Sequence, residues 1–271
     1  MLGLSDDALM ALRSGVDVDV HILSANSAAA CLDRGHWDAG ALLAAGTYYV
    51  VVDSWVSAAC VAKSGAYTLT LGLTSAADFE GQGLDSDVLA AGLYVFATAW
   101  KKGDTDRLEY SVIDFSLHSV HPRFWTIDLH DGSLAFVEHV THGAGSEDPD
   151  HPGYASTFSN IDGSHQSSLG LVRTASRYIG SNGLSMLLDG LEPGINDKVR
   201  PREIVMHSSS YATAAYIAAN GRMGDSWGCQ VIDPADIDDV IGTLEGGALI
   251  WSYYPDGAFL GASKYIDGFA P

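Results

Sequence analysis

Residues Arg202 to Pro234 read R-E-I-V-M-H-S-S-S-Y-A-T-A-A-Y-I-A-A-N-G-R-M-G-D-S-W-G-C-Q-V-I-D-P, and this stretch decides how the rest of the chain is read. Ile204, Val205 and Met206 make a short apolar strand that delivers His207 at its end, and the small residues Ser208, Ser209 and Ser210 follow. Ser226 comes 19 positions after His207 (226 minus 207) and opens S-W-G-C, which ends on Cys229 in a loop rich in glycine at Gly221, Gly224 and Gly228. Downstream, Asp233 and Pro234 suit a helix N-cap and first helical residue, the helix is expected to run to about Leu244, and Ala248 to Tyr254 is expected to be a closing strand.

The residue types fit acyl transfer. A thiol is mostly protonated at neutral pH, so a nucleophilic cysteine needs an imidazole nearby to take its proton. Asp225, Asp233 and Asp236 would push the thiol the wrong way, which leaves His207 as the expected activator. Gly228 allows a turn tight enough to aim amide N–H groups at a developing oxyanion. One cysteine and one histidine alone describe a buried thiol and a satisfied core histidine equally well.

Outside this stretch the composition sets bounds. The 271 residues are 47% hydrophobic and 18% charged, enough for one large domain or two modest ones with a buried core. Thirty glycines and short alternating apolar runs favour β-rich architecture. A formal charge of -20 repels phosphate backbones and argues against nucleic acid as a partner. The most apolar uncharged stretch, Val88 to Trp100, is too short for a membrane span. No export signal is visible at Met1 to Asp7.

Val16, Val18, Val20 and Ile22 alternate with polar residues, and two further β-rich runs, Gly46 to Asp53 and Gly65 to Leu71, open on glycine. They suggest a small antiparallel sandwich over residues 1–74, followed by a Gly/Ser/Asp-rich linker over 75–86 and a second domain over 87–271. That domain is expected to start with a helix from Asp87 to Lys102, capped by Ser86 or Asp85 and ended by Gly103, and to continue with strands at Leu108 to Phe115, Phe124 to Leu129 and Leu134 to Val140. Cys31 and Cys60 both lie in the N-terminal third, with Cys229 alone. One pair and one reactive thiol is the pattern of an exported protein, while three reduced cysteines is the other reading the spacing leaves open.

H-x(18)-S-x-G-C resembles the signature of YkuD-type L,D-transpeptidases, and further motifs extend the likeness: V-x-H-V-T-H-G (Val137 to Gly143), F-S-N (Phe158 to Asn160), G-S-H-Q-S-S-L-G (Gly163 to Gly170) and L-D-G-L-E-P-G-I-N-D (Leu188 to Asp197). With R-E-I-V-M-H, their order and spacing resemble the murein L,D-transpeptidase catalytic-domain family over about residues 106–255. The phrases A-G-T-Y-Y-V-V-V-D and G-A-Y-T-L-T-L look like the last strands of bacterial pre-peptidase C-terminal (PPC-like) β-sandwich domains, which implies a start truncated ahead of Val16. The fold class implied is mainly β: a sandwich-like module, then an L,D-transpeptidase-type β-rich catalytic domain with a few helices.

The resemblance implies Cys229 as nucleophile, His207 as base and then acid, Gly228 with the Cys229 amide at the oxyanion site, and Ser226 as a group that orients the histidine. His142, Ser168 and Gly170 are expected near the cleft, with Ser168 equally readable as a turn residue, and Arg222 is a candidate for a substrate carboxylate or, equally, a surface ion-pair residue. Trp227 replaces the histidine of the common S-H-G-C, and Val231 stands where many family members carry arginine. The implied partner is a peptidoglycan stem peptide, met in the periplasm or outside the cell, with no cofactor. His139 and His142, on opposite faces of an expected strand, imply no metal. Two rivals stand beside this: a non-catalytic wall-binding protein on the same scaffold, and a papain-like peptidase, which places Cys before His.

Overall fold

The computed structural model describes residues 2–3, 18–35, 46–54, 70–71, 79 and 81–269. It divides into two compact units, Met1–Ser75 with Leu129–Gly132, and Ala76–Asp128 with Ser133–Pro271.

In the first unit, strand Val18–Leu23 lies between Cys31–Gly35 and Tyr49–Ser54, antiparallel to both. The alternation read in the sequence has its cause here, because Val20 and Ile22 are buried. Leu2–Gly3 pairs with Thr70–Leu71. Three antiparallel strands thus stand in the region read as a sandwich, and the rest of that reading falls outside the described residues. So does Cys60. Cys31 is exposed, and no disulfide occurs among the described residues.

The second unit is built on one mixed sheet of eight strands: β1 Glu109–Asp114, β2 Phe124–Asp128, β3 Ser133–Glu138, β4 Gly170–Gly180, β5 Gly183–Gly190, β6 Val205–Ser208, β7 Gln230–Ile232 and β8 Leu249–Tyr253. Their spatial order is β7-β6-β5-β4-β8-β1-β2-β3. The pairs β6–β7 and β8–β1 are parallel, and the other neighbours are antiparallel.

Helices cover both faces. Helix α1, Ser86–Lys101, starts where Asp85 Oδ1 accepts from the amides of Asp87 and Val88 at 2.9 and 3.2 Å. Its buried stripe includes Val88, Leu89, Val95 and Phe96, and Gly92 lets it approach Val112 of β1 and Trp251 of β8 closely enough that a Cβ would sit 3.0 Å from the valine. The short helix α2 is Ala214–Asn220. On the sheet's other face, helix α3, Ile237–Leu244, buries Ile237, Val240, Ile241 and Leu244 in the core that holds Ile113, Phe124, Met186, Leu188 and Ile250. Helix α4, Gly257–Ala262, adds Phe259 to this core.

The helix expected from Asp233 starts instead at Ile237. Asp233 accepts from the Ala235 amide at 2.9 Å and closes a turn, while Asp236, the residue before the helix, is drawn toward Glu138 and caps nothing. The long hairpin β4–β5 was not foreseen as strands. Its two-residue turn is Ser181-Asn182, closed by the Gly180–Gly183 pair, and Gly183 takes φ 79° where the chain leaves the turn.

Candidate active site

Strand β6 carries His207 and lies next to β7, which Cys229 immediately precedes. The ladder is parallel and sets His207 opposite Val231. Cys229, one position ahead of the ladder, meets the start of the neighbouring strand, where its sulfur lies 3.7 Å from the Glu203 carbonyl and takes a hydrogen bond from the Val205 amide, two residues before His207. Cys229 packs beside the buried cluster of Ala212, Ile217, Met223 and Val231, with Tyr211. An arginine in place of Val231 would be driven into that cluster, which accounts for the departure noted there.

Burial favours the neutral form of both His207 and Cys229. His207 Nδ1 lies 3.0 Å from the Ser208 carbonyl, which can only accept, so the proton sits on Nδ1 and the lone pair on Nε2. Burial pushes the His207 pKa below its ordinary value, and the Ser208 hydrogen bond partly offsets this. Burial pushes the Cys229 thiol upward, opposed by a hydrogen bond from the Val205 amide and by the charge of Arg202. The thiol is held up as the sequence suggested, but by desolvation and not by the aspartates. Asp225 is engaged with Arg222, and Asp233 and Asp236 face Glu138.

The S-W-G-C loop is fixed by backbone geometry. Gly228 has φ 107°, and a Cβ there would meet Ile204 Cδ1 at 2.5 Å and the Gln166 carbonyl at 2.6 Å. Its amide donates to Ser226 Oγ at 3.1 Å, so it is committed within the loop and not aimed at an oxyanion. The Ser226 hydroxyl lies 2.8 Å from the Cys229 carbonyl and 3.3 Å from that of His142. Ser226 therefore shapes the loop, and it is the Ser208 carbonyl that orients His207.

A second histidine anchors this loop from behind. His142 is 1% exposed; Arg123 Nη2 donates to its Nδ1 at 2.8 Å, so its Nε2 carries the proton and donates to Glu147. Burial, reinforced by the Arg123 charge, lowers the His142 pKa to about 3. Arg123 is itself fully buried, donates also to the Val140 and Leu117 carbonyls at 2.9 Å each, and has its pKa lowered to about 9 by burial. The His142 carbonyl accepts from the Ser226 amide at 3.0 Å.

Arg222 pairs with Asp225 at 2.8 Å and Glu147 at 3.4 Å, which is the ion-pair reading and not the substrate one. His142, Glu147 and Asp225 bring ligand atoms within 4.8 Å of one another. The Arg222 guanidinium already supplies the positive charge beside these carboxylates, so the set does not fit a metal ion. His139 turns to the Val120 carbonyl at 3.1 Å.

Ser168 and Gly170 are also structural. Ser168, 9% exposed, donates to the Ser159 carbonyl at 2.9 Å, and Gly170 opens β4 at φ 88°, with Glu192 Oε1 only 2.4 Å from where a Cβ would stand. Arg202, the first residue of R-E-I-V-M-H, has a role the sequence reading missed. It donates to the Ser159 and Gln166 carbonyls and to the Ser164 and Ser168 hydroxyls at 2.6 to 3.1 Å, and its charge reaches Cys229. Asn182, at the β4–β5 turn, places Nδ2 3.5 Å from His207 Nε2. Only the N-G turn signal pointed toward it.

Residues 80–253 match the family model of the L,D-transpeptidase catalytic domain. No curated protein matches. Among solved structures the chain is similar to an L,D-transpeptidase from Mycobacterium smegmatis (12% identity, TM-score 0.33, covering 54% of this chain and 59% of that one). It is also similar to the helical cell shape determining protein Pgp2 of Campylobacter jejuni, as its K307A mutant (10%, TM-score 0.36, 61% and 56%), and to an L,D-transpeptidase from Mycobacterium tuberculosis H37Rv (15%, TM-score 0.32, 54% and 58%). The chain thus spans under two thirds of the length of these relatives. With the family model matched over more than half of its residues, this chain belongs to the L,D-transpeptidase catalytic-domain family.

Proposed function

We propose that the protein is a cysteine-dependent peptidoglycan L,D-transpeptidase that works outside the cytoplasm on murein stem peptides. The observation that carries the reading is the pairing of β6 with β7, which sets a half-buried thiol at Cys229 beside the strand that holds an imidazole with its lone pair on Nε2. A neutral pair suits general-base activation, in which the proton leaves the sulfur as the sulfur attacks, and no standing thiolate is needed.

In the proposed reaction Cys229 Sγ attacks the carbonyl joining the third, diamino, residue of a tetrapeptide stem to its terminal D-alanine. Its proton passes to His207 Nε2. The Cys229 amide faces the oxyanion, since the Gly228 amide is occupied by Ser226. His207 then protonates the departing D-alanine amine and leaves a thioester on Cys229. An amine on a second stem resolves it to a cross-link, or water resolves it to a tripeptide. The second outcome is L,D-carboxypeptidase action by the same intermediate.

Incubation with purified muropeptide tetrapeptides, with products resolved by mass, tests this. D-alanine release with dimers is expected. Release without dimers means the carboxypeptidase reading. A protein that binds the muropeptides but releases no D-alanine is a wall-binding protein.

A further inference from the structure

Among the described residues only two non-glycine positions take positive φ, His165 at 55° and Glu203 at 56°, and both belong to segments that meet at Cys229. Histidine, like asparagine and aspartate, tolerates this conformation, whereas glutamate does not favour it, and an outlier such as Glu203 persists where the surrounding structure enforces it, often at a functional site. The Glu203 carbonyl lies 3.7 Å from Cys229 Sγ, while its carboxylate side chain is exposed. His165, also exposed, stacks its ring on Trp227 with centroids 4.3 Å apart and planes 7° from parallel.

Trp227 stands two residues from the nucleophile and is 70% exposed. A tryptophan open to water two residues from the proposed nucleophile offers a free aromatic face to what enters the site. The stack holds that ring in place. His165 in turn sits in the segment that Arg202 grips through Ser164 and Gln166.

We propose that Glu203 and Trp227 form the acceptor side of the site and receive the acceptor stem's amine as an ammonium ion. This rests on the transpeptidase reading above. An indole face and a carboxylate are the two surfaces that attract an ammonium group. An exposed carboxylate on the residue whose carbonyl meets the thiol also repels acidic groups, and the chain's formal charge of -20 favours a cationic approach. Glu203 and Trp227 act by positioning. The amine nitrogen bonds to the thioester carbonyl carbon and the C–S bond breaks. Of the two protons the ammonium group loses, one goes to solvent and the other returns through His207 to the sulfur.

The test separates donor from acceptor. A tetrapeptide whose side-chain amine is acetylated can acylate Cys229 but cannot accept, and an unmodified tripeptide serves as acceptor. Glu203→Gln and Trp227→Ala are each expected to raise the acceptor KM about three- to fivefold, the size of an exposed cation–π contact. The ratio of cross-linked to hydrolysed product should fall accordingly. Trp227→Phe keeps an aromatic face and is expected to lie closer to the wild type, and Glu203→Asn, which suits the backbone, checks that loss of the carboxylate and not of the fold is being read.

Unchanged acceptor KM and product ratio in both Glu203→Gln and Trp227→Ala would overturn the assignment. So would an equal loss in the rate of donor acylation, which would put these residues on the donor side. A wild-type protein that releases D-alanine but never forms the cross-link overturns the acceptor site alone. One that releases no D-alanine overturns the reading beneath it.

Discussion

Two histidines, His207 and His142, lie within a few residues of strand ends, and the family motifs single out both, yet their surroundings are opposite. His142 has both ring nitrogens engaged, by Arg123 on one side and Glu147 on the other. His207 has one nitrogen tied to a carbonyl and the other met only by an amide at 3.5 Å. A saturated imidazole can hold a loop but has no lone pair to offer, whereas a half-satisfied one can accept a proton. Burial alone does not distinguish them, because both are buried.

The largest test of this contrast goes through Cys229, the proposed nucleophile. Cys229→Ala is expected to abolish D-alanine release and covalent labelling by a carbapenem, with the circular dichroism spectrum unchanged; retained labelling would remove Cys229 from the chemistry. Next, His207→Gln is expected to lower the rate about 10² to 10⁴-fold. It should also erase the acid limb of the pH profile. That limb should lie below the ordinary histidine value, because burial depresses His207, and activity is lost as pH falls through the lowered pKa.

His142→Ala should behave differently. It leaves the buried Arg123 without one acceptor and is expected to cost about 1–3 kcal/mol of stability, measured by denaturant unfolding. If its rate falls as steeply as that of His207→Gln while it remains folded, the distinction between the two histidines is wrong.

The smallest effect separates folding from chemistry. Glu138 has its pKa raised to about 7, chiefly by burial and then by Asp236 and Asp233. Between its ordinary value near 4.5 and 7, the folded chain holds a proton that the unfolded chain has lost, so stability falls as pH rises through this window. Glu138→Gln should flatten the decline of the melting temperature between pH 5 and 8. An unaltered slope would assign it to other groups.

The readable part of the sequence was local. Alternation over Val18 to Ile22, the Asp85 cap and Gly103 stop, and the apolar run into His207 report the backbone states that their own side chains prefer. The missing elements depend on distant partners. β4 and β5 carry a register shift between Met186 and Leu188 that breaks the period of two, and β7 is three residues long, held by β6. The surroundings of His142, Ser168 and Arg222 were open in the sequence for a related reason. A motif shows that a polar side chain is required, but not whether it faces a substrate or the protein. Arg202 stands in a motif whose local sequence does not show its task, because its four acceptors lie 34 to 43 positions away.

That grip by Arg202 makes residues 159–168 and the strand bearing His207 a single cooperative unit. Ser159, Ser164, Gln166 and Ser168 converge on one guanidinium, so the segment has no low-energy way to loosen residue by residue. Amide hydrogens across it that exchange only through opening should do so with one shared free energy, linked to the opening of β6. Substrate then meets a wall that is either whole or absent, and the thiol's electrostatic surroundings are assembled in the same event that closes the loop.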